Sequence, residues 1–244
     1  MLKNFREESF DVILQGGQSN SEGCGVGRTE RPFSPDARIW YFNGDFTISP
    51  AVERVWENEI AGDASLTFAE AYMRGGRLAE GRKLLIVRAS VGGTGFADMR
   101  WGLRDDLYLR MLKMTQTALA LNPANRLVAF LWHQGENEAG SAFDTHFKNV
   151  SALLRGVREA FENPTLPFVT GGFVPQWERE NQTAMEPIAN ALRAVCEDAG
   201  FARFVDADGL TSNEQMIGNG DILHFSRDAL HRLGLRYYEA FAGI

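Results

Sequence analysis

Cysteine is scarce. Cys24 and Cys196 are the only two in 244 residues, too few for a disulfide framework, although they could pair with each other. No stretch approaches the roughly 18 consecutive apolar residues of a membrane-spanning helix. Met1 to Gln15 lacks the apolar core of about 7–15 residues that marks a secretory leader. Positive charge is in deficit: 25 Lys and Arg against 32 Asp and Glu give a net charge of −7. That disfavours a general nucleic-acid binder, whose phosphate contacts need a basic face, and a polybasic membrane-surface protein. There is no internal repeat, low-complexity tract or linker. The expectation is a single soluble domain over residues 1–244, since α/β folds of about 250 residues often form one unit. Its expected location is the cytoplasm, or outside the cell if a leader has been removed.

With 44% hydrophobic and 23% charged residues, the composition is that of a folded globule, against disorder, collagen or coiled coil. Five short apolar runs stand out: Asp11–Gly17, Lys83–Ser90, Leu127–Gly135, Pro167–Val174 and Ala202–Ala207. Most are continuous rather than alternating, as suits parallel strands covered on both faces. Between them lie helical stripes at 3–4 spacing: Leu107 to Leu121, Phe143 to Phe161, Met185 to Ala199 and Leu230 to Phe241, with a further helix over Ser65–Glu80 ending near glycines. Strands alternating with helices predict an α/β fold, a parallel sheet with helices on both sides. Right-handed crossovers put every strand's C-terminal end on one edge, where ligands bind in such sheets. Arg28–Glu59, long, polar and aromatic, reads as an excursion beside the first strand end.

Four segments fall at that edge. The first strand runs into Gly16-Gly17-Gln18-Ser19-Asn20-Ser21. A serine just after a glycine turn can present its hydroxyl there, but it equally reads as a helix cap; the Gly-x-Ser-x-Gly elbow is absent because Ser21 holds its last position. The second runs into Gly92-Gly93-Thr94-Gly95, either a nest of amides for an anion or a plain tight turn. The third ends at His133-Gln134-Gly135-Glu136-Asn137. There the Gln134 amide can donate to an oxyanion, or the polar groups can simply bond one another. Before the last helix comes Asp221-Ile222-Leu223-His224, with Ser226 a candidate N-cap. Its carboxylate can orient its imidazole, or both can be ordinary turn residues. Together the four supply an exposed hydroxyl, oxyanion donors and an Asp–His pair, the parts of acyl transfer. A serine hydroxyl needs such a base to become a nucleophile.

The order Gly-Gln-Ser-Asn, Gly-Gly-Thr, Trp-His-Gln-Gly-Glu and Asp-x-x-His resembles the SGNH/GDSL hydrolase superfamily. More narrowly, it resembles the carbohydrate acetylesterase branch that holds sialate O-acetylesterases and family 6 acetylxylan esterases. The resemblance implies a three-layer α/β/α fold of flavodoxin-like type with a five-stranded parallel sheet. It implies Ser19 as nucleophile, His224 as base and Asp221 as its partner. The oxyanion donors would be Ser19 N–H, a glycine N–H of the Gly92-Gly93 turn and the Gln134 side chain, with Gln18, Asn20 and Glu136 supporting. No cofactor or metal is implied, and the substrate would be an acetylated carbohydrate. Two departures stand out. Ser21 replaces the Met common after Gln-Ser-Asn, beside Glu22 and Cys24, and the glycine-rich Gly23–Gly27 stretch is not part of the pattern.

Gly23-x-Gly25-x-Gly27 is followed by Arg28 where a dinucleotide loop needs its third glycine, and no Walker A motif exists. His133, Glu136, Asp221 and His224 are possible metal ligands, but His-Glu-x-x-His is missing. Cys24 is an alternative nucleophile without an obvious base. Glu136 with a second carboxylate could serve a glycosidase, which would not need the Ser–His pair. His146 and His231 lie in helical stripes as surface or packing residues. A short-chain lipase or thioesterase and a non-catalytic glycan-binding module are the alternative functions. Trp101, Arg100 and the Trp40–Phe42 segment are candidate sugar contacts.

Overall fold

The computed structural model describes residues 4–56 and 58–244. After a 3-10 turn at Phe5–Glu7 come β1 (Ser9–Gly17), α1 (Ser19–Glu22), β2 (Ile39–Phe42), β3 (Ile48–Pro50), β4 (Arg54–Trp56), β5 (Glu59–Ala61) and α2 (Ala64–Arg74). Then follow β6 (Arg82–Arg88), α3 (Asp106–Ala120), β7 (Arg126–His133), a 3-10 turn at Glu136–Glu138, α4 (Phe143–Ala160) and β8 (Phe168–Gly171). The chain ends with α5 (Pro175–Glu180), α6 (Gln182–Asp198), β9 (Ala202–Val205), α7 (Asn213–Ile217) and α8 (Arg227–Ala242).

The five apolar runs become β1, β6, β7, β8 and β9, all parallel and in the order β6-β1-β7-β8-β9. The sheet has seven strands rather than five. Beyond β6 lie β2, parallel to it, and β3, antiparallel to β2 at the edge. Both come from the Arg28–Glu59 excursion. The four-residue Ile39–Phe42 run pairs its whole length with Leu84–Val87 of β6, but it is too short to stand out in a polar stretch. The separate β4–β5 hairpin straddles the end of the same excursion.

β1 lies in the middle, hydrogen-bonded on both edges and covered on both faces, which is why its sequence is continuously apolar. Phe10, Val12 and Leu14 pack with Met111 and Met114 of α3, Val150 and Leu154 of α4 and Ile188 and Leu192 of α6. Ile13 faces the other way, toward Leu66 and Phe68 of α2 and Leu230 and Leu233 of α8. At roughly 25 cal/mol per Å² of apolar surface, burying each such side chain contributes about 1.5–3 kcal/mol before entropy is subtracted. α2 stops at Arg74, with Gly75 as its C-cap, six residues short of the Ser65–Glu80 expectation. At the N-terminal end of the sheet, Asp11 is buried, yet its carboxyl is held below its usual range. Burial alone would raise it, but hydrogen bonds from Arg126, Arg82 and Tyr72 outweigh that cost.

Candidate active site

β1 ends at Gly17 with φ +128°, where a Cβ would lie 2.0 Å from the His133 carbonyl oxygen. Only glycine can make that turn. Gln18 N–H donates to the same carbonyl (3.0 Å), and α1 starts at the next residue, Ser19. A first-turn amide has no partner inside its own helix, so Ser19 N–H belongs to the set free to bind an incoming group.

Ser19 Oγ lies 2.9 Å from His224 Nε2, and His224 Nδ1 lies 2.8 Å from Asp221 Oδ2. The structure thus joins Ser19 to His224, 205 positions away in sequence, and through it to Asp221. Asp221 is an acceptor on every side. Oδ1 takes the N–H groups of Leu223 and His224 (both 3.1 Å), and Oδ2 also takes Asn213 Nδ2 (2.9 Å). Burial pushes its carboxyl up, but His224 and Asn213 outweigh burial and hold it at about 2. Ser226 caps α8 by accepting from Ala229 N–H, so the Asp–His pair sits in the preceding loop, as its spacing indicated. Trp56 stands edge-on to the His224 ring, centroids 5.6 Å apart.

Asn20 ties the Ser19 and His224 segments together. Its Nδ2 donates to Glu136 Oε1 (2.6 Å) and to the Leu223 carbonyl (3.1 Å), and its Oδ1 accepts Phe225 N–H (3.0 Å). The loop residues on either side of His224 are therefore pinned to the residue after Ser19. Glu136 is fully buried. Burial disfavours its charge, yet His133 Nε2 at 3.6 Å and the Asn20 amide hold its carboxyl below the usual range. Beneath it, His133 Nδ1 meets Tyr237 Oη at 2.8 Å. The Gly23–Gly27 stretch packs beneath the same loop. A Cβ on Gly25 would lie 2.6 Å from the Phe225 and Ser226 carbonyls.

Gly92 and Gly93 line the cleft beside Ser19. A Cβ on Gly92 would come 3.5 Å from Ser19 Cβ. Gly92 N–H already donates to Glu22 Oε2 (2.9 Å), and Arg54 Nη1 pairs with Glu22 Oε1 (3.1 Å). Gln134 departs from the expectation. Its side chain is 1% exposed and donates to Glu138 Oε1 (3.2 Å), which also accepts Phe96 N–H. Gln134 braces the Gly92–Phe96 turn from beneath and does not line the cleft. Gly135, at φ +152°, swings the chain so that Asn137 reaches the cleft instead. Gln18 Oε1 holds the Asn137 N–H at 3.2 Å.

The cleft has a volume of about 510 Å³, within the usual range for small-molecule sites. Sequence reasoning did not assign Glu22, Arg54, Trp56, Asn137 or Trp177, all in its wall. Glu22 had a legible signal, since three positions after Ser19 on a helix is the same face; Arg54 had none. The proposed sugar contacts lie elsewhere. Trp101 is fully buried against Trp132, Arg100 pairs with Asp106, Tyr41 and Phe42 are buried, and Trp40 packs on Phe5. Cys24 is 3% exposed, and burial pushes its thiol up to about 11, which disfavours the thiolate that a cysteine nucleophile needs. Cys24 and Cys196 are both free, so they do not pair. His146 and His231 are both buried. Among the described residues, no three metal-ligating side chains are grouped to hold an ion.

Residues 9–243 match the family described as carbohydrate esterase, sialic acid-specific acetylesterase. The chain belongs to this family. Its fold is that of the SGNH hydrolases, with the seven-stranded sheet described above. A protein from Arabidopsis thaliana shares it at TM-score 0.77 and 19% identity, covering 96% of this chain and 98% of that one. The crystal structure of NanS does so at TM-score 0.78 and 19% identity, covering 97% of each chain. A carbohydrate acetylesterase from Xanthomonas citri matches at 0.64 and 18%, with 96% of this chain against 57% of that one. No curated protein sequence matches the chain. Membership in the carbohydrate esterase family supports acetylesterase activity on an acetylated carbohydrate. No helix among the described residues is long and apolar enough to cross a membrane.

Proposed function

We propose that the protein removes O-acetyl groups from an acidic sugar by a two-step serine mechanism. The observation that carries the mechanism is the unbroken chain from Ser19 Oγ through His224 to Asp221, with 2.9 and 2.8 Å contacts. His224 Nε2 takes the Ser19 proton as Oγ attacks the acetyl carbon. The Ser19 amide and an amide of the Gly92-Gly93 turn are the backbone donors for the developing oxyanion, and the Asn137 side chain, which also donates to Asp98, lines the same cleft as a third. Collapse expels the sugar alcohol, which leaves with the proton from His224. Water, deprotonated by the same imidazole, then releases acetate. Asp221, ionised throughout, keeps the proton on Nδ1 so that Nε2 faces Ser19 as an acceptor.

The acidic sugar is favoured over neutral xylan by a second cavity of about 300 Å³ that shares Glu22 and Arg54 with the catalytic cleft. Arg88 and Arg110 also line it. Among the described residues Arg88 donates to Glu22 O (3.0 Å) and lies over the Tyr41 ring (4.6 Å), and Arg110 donates to Gly44 O (3.1 Å). Arg88 Nε is buried without a partner among the described residues. Asp45 offsets part of this charge from the same wall, though its carboxylate is already bonded to Thr47. Two guanidiniums without carboxylate partners among the described residues, in a cavity that meets the Ser19 cleft at Glu22 and Arg54, suit a sugar carboxylate.

The test is acetate release from O-acetylated sialic acid, acetylxylan and 4-nitrophenyl acetate, with wild type and Arg110→Ala. The acidic sugar is expected to have the highest kcat/KM. Arg110→Ala should raise KM about tenfold or more for that substrate alone. Equal KM changes for the neutral esters would remove the anionic assignment while leaving the esterase standing. Loss of activity with longer acyl chains is expected too, and a maximum at eight carbons would instead favour a lipase.

A further inference from the structure

Ser19 and Glu22 share a face of α1, and the Glu22 carboxylate enters the catalytic cleft beside Gly92. We infer that Glu22 is a positioning residue of the oxyanion site: it occupies the Gly92 amide and so leaves the Gly93 amide as the donor this turn offers to the oxyanion. The inference rests on Ser19 as the nucleophile.

Each polar part of Glu22 is held. Oε2 accepts Gly92 N–H at 2.9 Å, Oε1 accepts from Arg54 at 3.1 Å, and the main-chain carbonyl accepts from Arg88 at 3.0 Å. Arg54 is fixed in turn by the Gly23 carbonyl (2.8 Å) and Cys24 Sγ (3.1 Å). A side chain anchored through so many contacts is a strut, not a loose plug. On the other side, Thr94 Oγ donates to the Val91 carbonyl (2.7 Å) and accepts Trp101 Nε1 (3.0 Å), and Glu138 takes the Phe96 amide. The Gly92-Gly93 turn is thereby pinned at both ends.

Gly92 is seated against the nucleophile, with a hypothetical Cβ 3.5 Å from Ser19 Cβ. Gly93, at φ +67°, lines the cleft with open space around the same position. An amide already bonded to a carboxylate cannot also receive the oxyanion without losing a charge-assisted bond. The adjacent amide carries no such engagement among the described hydrogen bonds. A carboxylate so close to a forming negative charge would oppose it, and the Arg54 guanidinium on Glu22 supplies the neutralising charge. Glu22 thus works through the turn it holds and never touches the reacting atoms.

The experiment measures 4-nitrophenyl acetate hydrolysis, which bypasses the arginine cavity, for wild type, Glu22→Ala and Glu22→Gln. It is paired with amide NMR of 15N-glycine-labelled protein carrying a phosphonate adduct on Ser19. Glu22→Ala should lower kcat about 10- to 100-fold, with KM changed less than about threefold. Glu22→Gln keeps an acceptor oxygen for Gly92 and should recover most of the loss. In the adduct, the Gly93 amide resonance should move and the Gly92 resonance should stay. A kcat that rises or stays level in Glu22→Ala would overturn the inference, because the carboxylate would then be an obstacle or idle. So would an adduct that shifts Gly92 and spares Gly93. Failure to form any adduct on Ser19 would instead overturn the nucleophile on which the inference rests.

Discussion

Replacing Asp221 by Asn changes one atom and should nearly abolish turnover. Asp221 Oδ1 takes two backbone N–H groups, from Leu223 and His224, while Oδ2 faces two side-chain donors, Asn213 Nδ2 and His224 Nδ1. In Asp221→Asn the single remaining oxygen stays with the two backbone amides, which places the new NH2 at the Oδ2 position. Asn213 cannot turn to accept from it. Its Oδ1 is committed to Val26 N–H (2.8 Å) and its Nδ2 to the Cys24 carbonyl (3.1 Å). His224 Nδ1 must then become the acceptor, which puts the ring proton on Nε2, facing Ser19. A protonated Nε2 cannot take the serine proton, so kcat should fall by about 10³–10⁴ with KM little changed. Raising the pH should not restore activity, because the neutral ring is held in the wrong tautomer. Stability carries its own signature. The Asp221 carboxyl is lowered from 3.8 to about 2, equivalent to about 2 kcal/mol favouring the folded state. That contribution is complete above the unfolded value and is lost as pH falls through the folded one. Wild type should therefore exceed the variant in denaturant melts above pH 4, and the gap should close toward pH 2. A kcat loss under tenfold, or recovery of kcat at pH 9, would refute the tautomer argument.

Burial holds the His146 imidazole down at about 4, against 6.5 when unfolded. The unfolded chain thus binds a proton that the folded one resists, and stability falls as pH drops through that window. His146→Leu should remove about 3 kcal/mol of acid sensitivity between pH 6.5 and 4, read as a wild-type-minus-variant difference in urea melts; a difference that stays constant with pH would contradict it. With its thiol pushed up to about 11, Cys24 should resist iodoacetamide in the native protein at pH 7.5, and Cys24→Ala should keep esterase activity within a few-fold. Rapid alkylation with loss of turnover would restore the thiol as a candidate. Asn137→Ala should lower kcat far more than Gln134→Ala, whose loss should appear mainly as a lower melting temperature. The reverse order in steady-state kinetics would return the oxyanion role to Gln134.

The layer order and the strand-end site were legible because their signals are strong. β1, β6, β7 and β8 carry continuous apolar runs since both faces are covered, and Gly17 and Ser226 mark where the chain must turn or start a helix. β2 and β3 were not legible. Four and three residues long, they owe their pairing to an existing β6 edge and not to local pattern. Within the site, type and position were readable for Ser19, His224 and Asp221, which the structure brings into contact. Gln134 stands just past the end of β7 at His133, and its side chain turns to Glu138 rather than to the cleft. Its neighbour His133 meets Tyr237 and Phe225, and the Gly135 turn brings Asn137 to the cleft. Arg54 and Trp56 enter from the β4–β5 hairpin, whose position over the cleft is a tertiary fact with no local signature.

The most direct test of the central claim is trapping with a fluorophosphonate, followed by peptide mapping by mass spectrometry. A single adduct on Ser19 is expected, formed in step with loss of acetylesterase activity, and absent in Ser19→Ala, which should retain the fold and almost none of the turnover. Modification at another residue in step with inactivation, or a Ser19→Ala protein that still releases acetate at the wild-type rate, would contradict the account.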